Sequence, residues 1–193
     1  MIKRVFIIHG WGGHPGEGWF PWLKKELETK GFGVFVPQML DTDNPLIQNW
    51  VPALAAVVGS PDQDTYFVGH SVGCQTILRY LEKLQEDKKI GGCIFVGSWI
   101  NLKEEAYEEE KDREIAKPWL ETPINWNKII KHTNKFVNIF SDDDPYVFVE
   151  DSKIFEEKLN SKIVVEKNKG HFTEYDNVKE LPIVLKEIIE LTK

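Results

Sequence analysis

The stretch Thr65–Gly73, TYFVGHSVG, decides how the rest of this sequence is interpreted. It opens with an aromatic and β-branched run, passes through the pentapeptide Gly69–Gly73, and leads into residues 74–81, whose apolar side chains recur at helical spacing. A strand, a sharp turn and a helix fit this pattern, which is the context in which G-x-S-x-G forms a nucleophile elbow. We therefore predict that Ser71 stands at the tip of the turn with its Oγ exposed. The alternative is a glycine-rich turn in which Ser71 caps the helix.

Length and composition favour one globular domain. We predict a single domain over residues 1–193, because hydrophobic residues make up 41% of the chain and no segment has a disordered composition. The net charge of -7 offers no basic face, so we expect neither nucleic acid nor anionic lipid as a partner. No segment is long enough to span a membrane, and Cys74 and Cys93 are expected to be free thiols in a reducing cytoplasm, with a disulfide as the alternative.

Apolar strand patterns and amphipathic helix patterns alternate along the chain. The predicted strands are Lys3–Ile8, Phe32–Val36, Tyr66–Val68, Gly92–Val96, Phe136–Phe140 and Ile163–Glu166. The predicted helices are Trp19–Lys30, Pro45–Val58, Val72–Leu84, Trp126–His132, Val149–Leu159 and Val178–Leu191. Such alternation predicts a three-layer α/β/α sandwich with about six mainly parallel strands. In that architecture the ligand site lies at the carboxyl ends of the strands.

The alternation lapses over residues 101–124, which begin with the acidic run Glu104–Glu110. We expect this run to be a solvated helix face. A lid over the ligand site is the alternative, since long loops in compact domains are often functional.

Two later loops carry groups that could activate a serine. A serine hydroxyl needs a base to take its proton, and the base needs an acid to hold its tautomer. The loop Ser141–Val147 follows the fifth strand and contains three consecutive aspartates, and His171 follows the sixth strand. We favour Asp144 as the acid because it directly precedes Pro145, an arrangement that many α/β-hydrolases share, and we keep Asp143 in reserve. A calcium loop would need more oxygen ligands than this segment offers.

The five histidines differ in their suitability as the base. His9 belongs to the first loop and is expected to buttress it, and His70 is fixed beside the serine. His14 and His132 have no supporting pattern. His171 remains, in the chain order Ser, acid, His that α/β-hydrolases use.

Acyl transfer also needs donors aimed at the developing oxyanion. The residue after the serine supplies one backbone N–H, here Val72, and the loop after the first strand supplies the other, most simply Trp11. A phosphate cradle is the competing interpretation of His9–His14, but the glycine patterns that bind dinucleotides or nucleotide phosphates are absent from the sequence. We expect no cofactor and no metal.

The chain resembles the small serine hydrolases of the YdeN and retinoblastoma-binding-protein type, a compact branch of the α/β-hydrolase superfamily. The resemblance covers nearly the whole length and rests on VFIIHGWGG, the helix WFPWLKKEL, Asn49-Trp50, VGHSVGCQTILRYLE, SDDDPYV, GHF and Leu181–Val184. It implies that Ser71, Asp144 and His171 form a catalytic triad. It also implies a reduced α/β-hydrolase fold that lacks the two leading strands of larger members.

These observations predict a serine hydrolase that cleaves a small or medium acyl ester through an acyl-enzyme intermediate. The alternatives are an amidase or peptidase with the same triad, and a protein-interaction module with vestigial catalysis that would bind its partner through residues 104–110. Five aromatic residues are candidates for the wall of an acyl pocket or for ordinary core: Trp11, Trp19, Trp99, Trp119 and Phe172.

Overall fold

The computed structural model describes residues 2–193. Six strands form one parallel sheet: β1 (Arg4–Ile8), β2 (Gly33–Phe35), β3 (Thr65–His70), β4 (Gly92–Val96), β5 (Phe136–Ser141) and β6 (Lys162–Glu166). Their order across the sheet is β2-β1-β3-β4-β5-β6. Every neighbouring pair is parallel, as the alternation of strands and helices predicts.

Six helices lie between these strands and a seventh follows the last of them: α1 (Phe20–Thr29), α2 (Ile47–Val58), α3 (Val72–Leu81), α4 (Glu110–Glu121), α5 (Trp126–Ile129), α6 (Ser152–Leu159) and α7 (Pro182–Leu191). Two further turns are 3₁₀ helices, Glu104–Ala106 and Val149–Asp151. The last helix begins at Pro182 rather than at Val178, because proline's fixed φ suits the first helical turn. Val178 is buried outside that helix.

The sheet separates two apolar cores, which confirms the three-layer architecture. Along β1 the side chains alternate between them: Val5 and Ile7 face one core, and Phe6 and Ile8 face the other. Helices α1 and α7 cover the first face, whereas α2, α3 and α6 cover the second. Strands covered on both faces have no polar side, which is why their sequences are nearly continuous apolar runs.

The strand order fixes where a site can form. The chain moves outward from β1 to β2 and then returns past β1 to β3, so the winding direction reverses between β1 and β3. Ligands of open parallel sheets bind at such a switch point, outside the carboxyl ends of the strands. The loops after β1, β3, β5 and β6 all meet at this edge.

The segment 101–124 contains a three-turn helix that the sequence analysis did not predict. Only Glu104–Ala106 and Glu110–Glu121 are helical, so the acidic run is not one continuous helix face. The buried Arg79 guanidinium on α3 donates to the carbonyl oxygens of Trp119 (2.9 Å) and Thr122 (2.8 Å). A cation at the C-terminal carbonyls of a helix complements its dipole, so α4 is tied to the helix that follows Ser71.

Cys74 and Cys93 are both buried free thiols, as predicted, and burial raises the pKa of each thiol well above its ordinary value. Such thiols stay protonated and pack as small apolar groups. Among residues 2–193, no helix combines the length and the apolar character that crossing a bilayer requires.

Candidate active site

Ser71 occupies a strained turn between β3 and α3. Its φ of 52° and ψ of -122° lie in a region that residues with a side chain rarely adopt. The flanking glycines permit the close approach that this turn needs. A Cβ on Gly69 would lie 2.8 Å from the Cys74 backbone nitrogen, and one on Gly73 would overlap the Ile8 carbonyl oxygen. The sequence thus folds here as the predicted strand, sharp turn and helix.

His171 is oriented by a buried carboxylate. Its Nδ1 lies 2.8 Å from Asp144 Oδ2, and the side chains are 9% and 3% exposed. Since a carboxylate accepts, Nδ1 is the donor, which leaves a lone pair on Nε2. The other oxygen, Oδ1, accepts the backbone N–H groups of Tyr146 (2.9 Å) and Val147 (3.0 Å). The carboxylate is therefore held from two sides.

The three consecutive aspartates have three separate tasks. Asp142 Oδ1 accepts the Asn168 N–H at 2.9 Å, and Asp143 Oδ1 accepts the Ser141 hydroxyl at 2.6 Å. Asp143 is solvent-exposed, and its hydrogen bonds lower the pKa of its carboxyl. Asp144 alone of the three contacts the imidazole, so the favoured acid, and not the reserve, is placed against His171.

His70 holds the backbone of His171 through a hydrogen bond. Its Nε2 donates to the His171 carbonyl oxygen at 2.7 Å, and the two rings lie 5.0 Å apart. Burial lowers the pKa of His70 to about 3, with the neighbouring His171 as the second cause. His70 is thus neutral at physiological pH, and its Nδ1 is a buried acceptor without a partner among the described residues.

His9 fixes the loop after β1. Its Nε2 accepts the Met39 N–H at 3.1 Å, so Nδ1 carries the proton and donates to the Gly10 carbonyl oxygen at 2.9 Å. Gly10 C=O and Trp11 N–H belong to one planar peptide and point in opposite directions. Holding the carbonyl therefore also aims the Trp11 amide.

The two predicted oxyanion donors are free. Within residues 2–193, neither the Trp11 amide nor the Val72 amide donates a hydrogen bond. Val72 is the first residue of α3, where the N–H groups have no partner within the helix and the dipole favours negative charge.

A cavity of about 740 Å³ brings these groups together. Its walls include Ser71, His171, Trp11 and Val72. Asp144 does not line the cavity but contacts His171, which does. The cavity opens at the switch-point edge of the sheet, where the topology places a ligand.

The predicted pocket aromatics divide into two groups. Trp19, Trp99 and Phe172 line the cavity, although each is nearly fully buried. Trp119, a residue of α4, does not line it: it is 2% exposed and belongs to the core that α2 and α3 cover, and its Nε1 donates to the Pro45 carbonyl oxygen at 2.8 Å. Of the two places predicted for Trp119, the acyl-pocket wall is therefore wrong and the core is confirmed. Because the sequence did not predict helix α4, it could not indicate whether Trp119 faces the cavity or the core.

The acidic run lies at the cavity rather than on a remote surface. Glu105 and Glu108 are among the lining residues, whereas Glu104 pairs with Arg113 at the surface. The segment is anchored by Asp151, whose Oδ2 accepts the backbone N–H groups of Ile100 (2.7 Å) and Asn101 (2.8 Å).

Three residues that the sequence analysis passed over shape the site. Gly97, at φ 56°, leaves room for His171, since a Cβ there would lie 3.1 Å from Cε1. The Tyr146 ring packs edge-on against the His171 imidazole, with the two ring centroids 5.2 Å apart. Asp176 Oδ2 accepts the His171 backbone N–H at 3.0 Å. Of the three, Gly97 could have been recognised from the sequence, because it directly follows β4 and therefore lies at the carboxyl edge of the sheet, where the site forms.

The chain matches the family model described as serine hydrolase over residues 5–190. It is 31% identical over 184 residues to the putative hydrolase YdeN of Bacillus subtilis, covering 95% of this chain and 93% of that protein. It is 26% identical over 172 residues to the serine hydrolase RBBP9 of Rattus norvegicus, covering 88% and 87%.

The fold agrees with solved structures. The crystal structure of the ydeN gene product from B. subtilis superposes with a TM-score of 0.88 at 29% identity, with 98% of each chain covered. The ferulic acid complex of Est1E from Butyrivibrio proteoclasticus superposes with a TM-score of 0.70 at 17% identity, covering 97% of this chain and 90% of that one. The second likeness is one of fold alone.

Proposed function

The chain belongs to the serine hydrolase family of the α/β-hydrolase superfamily, and on this premise we propose that it is a carboxylesterase acting on small or medium acyl esters. The observation that carries the proposal is the buried bond between His171 Nδ1 and Asp144 Oδ2 at 2.8 Å, in the wall of the cavity that Ser71 also lines. It gives the imidazole the tautomer that a general base at a serine requires.

In the proposed reaction, Ser71 Oγ attacks the ester carbonyl carbon while its proton passes to His171 Nε2. The C–O bond of the tetrahedral intermediate then breaks, the same proton goes to the leaving alkoxide, and the alcohol departs. Water repeats the sequence on the acyl-enzyme, with His171 again as base, and releases the carboxylic acid. Asp144 stabilises the imidazolium in each half-reaction without taking the proton.

The Trp11 and Val72 amides are the proposed donors to the oxyanion. Both are free, and His9 fixes the peptide that carries the first of them. One such donor is worth about 10²–10³ in rate. Because the donors are backbone groups in a rigid turn, they need little reorganisation when the charge develops.

An ester is the substrate we favour over an amide. Est1E, which shares the fold, has ferulic acid bound in its solved structure, and a bound carboxylic acid accords with ester chemistry on such a scaffold. Cavity aromatics such as Trp99 and Phe172 would accommodate an apolar acyl group. Amide cleavage depends more strongly on His171 as a general acid, because a leaving amine must be protonated as it departs.

A fluorophosphonate probe tests the proposal. It should label the wild-type protein at neutral pH and fail to label Ser71→Ala, and p-nitrophenyl acetate hydrolysis should be lost in the same variant. Circular dichroism controls for folding. Well-folded wild-type protein that neither takes up the probe nor hydrolyses p-nitrophenyl esters would overturn the proposed activity.

A further inference from the structure

The cavity at Ser71 is lined by carboxylates on several sides. Six acidic residues contribute to its wall: Glu17, Glu105, Glu108, Asp112, Glu174 and Asp176. They come from three separate parts of the chain: the loop before α1, the 101–124 segment and the loop after His171. No lysine or arginine of residues 2–193 lines the cavity. A negative potential is therefore concentrated where a substrate enters.

Two of these carboxylates serve the local backbone. Asp112 Oδ2 accepts the N–H groups of Glu108 and Glu109 at 2.9 Å, and Asp176 Oδ2 accepts those of His171 and Thr173. The other four form no ion pair within residues 2–193. Their charge is available to a ligand.

Glu17 and Glu174 lie on adjoining loops of the cavity wall. A Cβ on Gly18 would lie 3.7 Å from the Glu174 backbone nitrogen, so the two loops are in contact. Glu17 is half-buried above Gly13, and burial raises the pKa of its carboxyl; a backbone hydrogen bond from His14 and the His14 side chain oppose this shift, and the charge of Glu174 adds to it. Two carboxylates thus share one side of the cavity, where no lysine or arginine of residues 2–193 is among the lining residues and the His14 side chain lies beside Glu17. A bound cation would relieve the repulsion between the two carboxylates.

The remaining polar and aromatic groups are also suited to a cation. The cavity wall includes Trp11, Tyr146 and Tyr175, of which Tyr175 is 93% exposed. Aromatic faces attract ammonium groups. His70 lines the same cavity, is 5% exposed, and has at Nδ1 an acceptor lone pair with no partner.

We propose that the ester cleaved at Ser71 carries a positively charged ammonium group, which Glu17 and Glu174 bind at the cavity mouth beside the exposed aromatic rings. This inference rests on the proposed esterase function and specifies its substrate class. Anionic esters would be repelled by the same carboxylates, and neutral esters would bind without the electrostatic contribution.

The test uses matched esters that differ in charge but not in shape. One pair is acetylthiocholine and its carbon isostere, in which tert-butyl replaces trimethylammonium. A second pair carries the same replacement on the acyl side, as p-nitrophenyl γ-trimethylammoniobutyrate and its tert-butyl isostere. We expect kcat/KM to be about tenfold higher for the cationic member of at least one pair at low ionic strength, and the advantage to shrink in salt.

Variants connect the preference to the two residues. In the double variant Glu17→Gln/Glu174→Gln, the ratio of cationic to neutral kcat/KM should fall by about tenfold. Glu156→Gln is the matched control, because Glu156 is an exposed glutamate on α6 that does not line the cavity. It should leave the ratio unchanged.

Each other result would overturn a stated part of the inference. Equal rates within both pairs, in protein whose Ser71 still reacts with fluorophosphonate, would overturn the cationic substrate class and leave the esterase proposal standing. A preference that survives the double variant would overturn the assignment to Glu17 and Glu174. Failure of both pairs together with failure of the probe would overturn the esterase function itself.

Discussion

The imidazole of His70 donates from Nε2 to the main-chain carbonyl of His171 at 2.7 Å, which joins the strand that ends at the nucleophile to the loop that carries the base. The two residues are 101 positions apart in the chain. The bond spans the two loops that must keep a fixed separation for a proton to pass between them. His70 is therefore a positioning residue in the proposed mechanism.

Replacing His70 should impair turnover without removing substrate binding. His70→Phe keeps an aromatic ring but loses the donor, and we expect kcat to fall about tenfold or more with KM little changed, because misplacement of a base mainly costs rate. His70→Gln retains an N–H donor of similar reach and should recover part of the loss. Ester hydrolysis by the three proteins measures this. Equal activity in His70→Phe and wild type would show that the bond does not position His171.

Acid should destabilise the fold through His70. Its pKa is about 3 when folded and 6.5 ordinarily, so below 6.5 the unfolded chain takes up a proton that the folded chain does not. Stability therefore falls as the pH drops through this interval, by about 1.4 kcal/mol per pH unit for one such group. Burial also lowers the pKa of His9, which adds to the slope.

Urea unfolding measures this linkage. Between about pH 7 and pH 5, His70→Gln should lose about 2 kcal/mol less stability than wild type, because glutamine does not titrate. Identical slopes in the two proteins would contradict a depressed His70 pKa.

Asp144→Asn should lower kcat by about 10⁴-fold. The amide oxygen would take over the bonds from the Tyr146 and Val147 N–H groups at Oδ1, so its NH₂ would face His171 Nδ1. That donor forces the proton onto Nε2, and the imidazole can no longer accept the serine proton.

Asp143→Asn is the matched control for Asp144→Asn. Its amide oxygen can still accept from the Ser141 hydroxyl and the Gly170 N–H, so we expect kcat within about threefold of wild type. Similar losses in both variants would exclude Asp144 as the acid of the proposed triad.

The strands could be predicted from local sequence patterns, whereas one helix could not. Strands buried on both faces are apolar runs, and each was predicted to within one residue at either end except β3, which extends two residues further, to His70, because it pairs with β4 up to the elbow. Helix α4 was not predicted, since its acidic start and Pro118 resemble a loop. It is held by Arg79 from another helix, a contact that no local pattern contains.

The site was predictable where a loop follows a strand, because topology alone brings such loops to one edge. Ser71, Asp144 and His171 were selected in this way, and the structure places Asp144 against His171 and both Ser71 and His171 in the cavity wall. The roles of His70 and Asp176 were not, because each depends on a single bond to the His171 backbone. Side-chain identity gives no indication of which distant main-chain group a residue will meet.

Trp119 and Trp99 should respond differently to the same substitution. Trp119→Phe leaves the Pro45 carbonyl without its donor and a small void in the core, so we expect a loss of about 1–3 kcal/mol in unfolding free energy with KM unchanged. Trp99→Phe alters the cavity wall and should change KM for long acyl esters. Denaturant titration and steady-state kinetics across acyl chain lengths separate the two. A changed KM in Trp119→Phe would argue against its place in the core.

Gly97→Ala should separate the cost of backbone strain from the displacement of the base. At φ 56° any Cβ is strained, and this one would also lie 3.1 Å from His171 Cε1. Gly59→Ala is the control, since Gly59 has φ 66° and nothing within 4 Å of its Cβ position. Both variants should lose about 1 kcal/mol of stability. Gly97→Ala alone should also lose about tenfold in kcat, because the imidazole must shift by a few tenths of an ångström. Equal activity in the two variants would show that the imidazole tolerates the added methyl group.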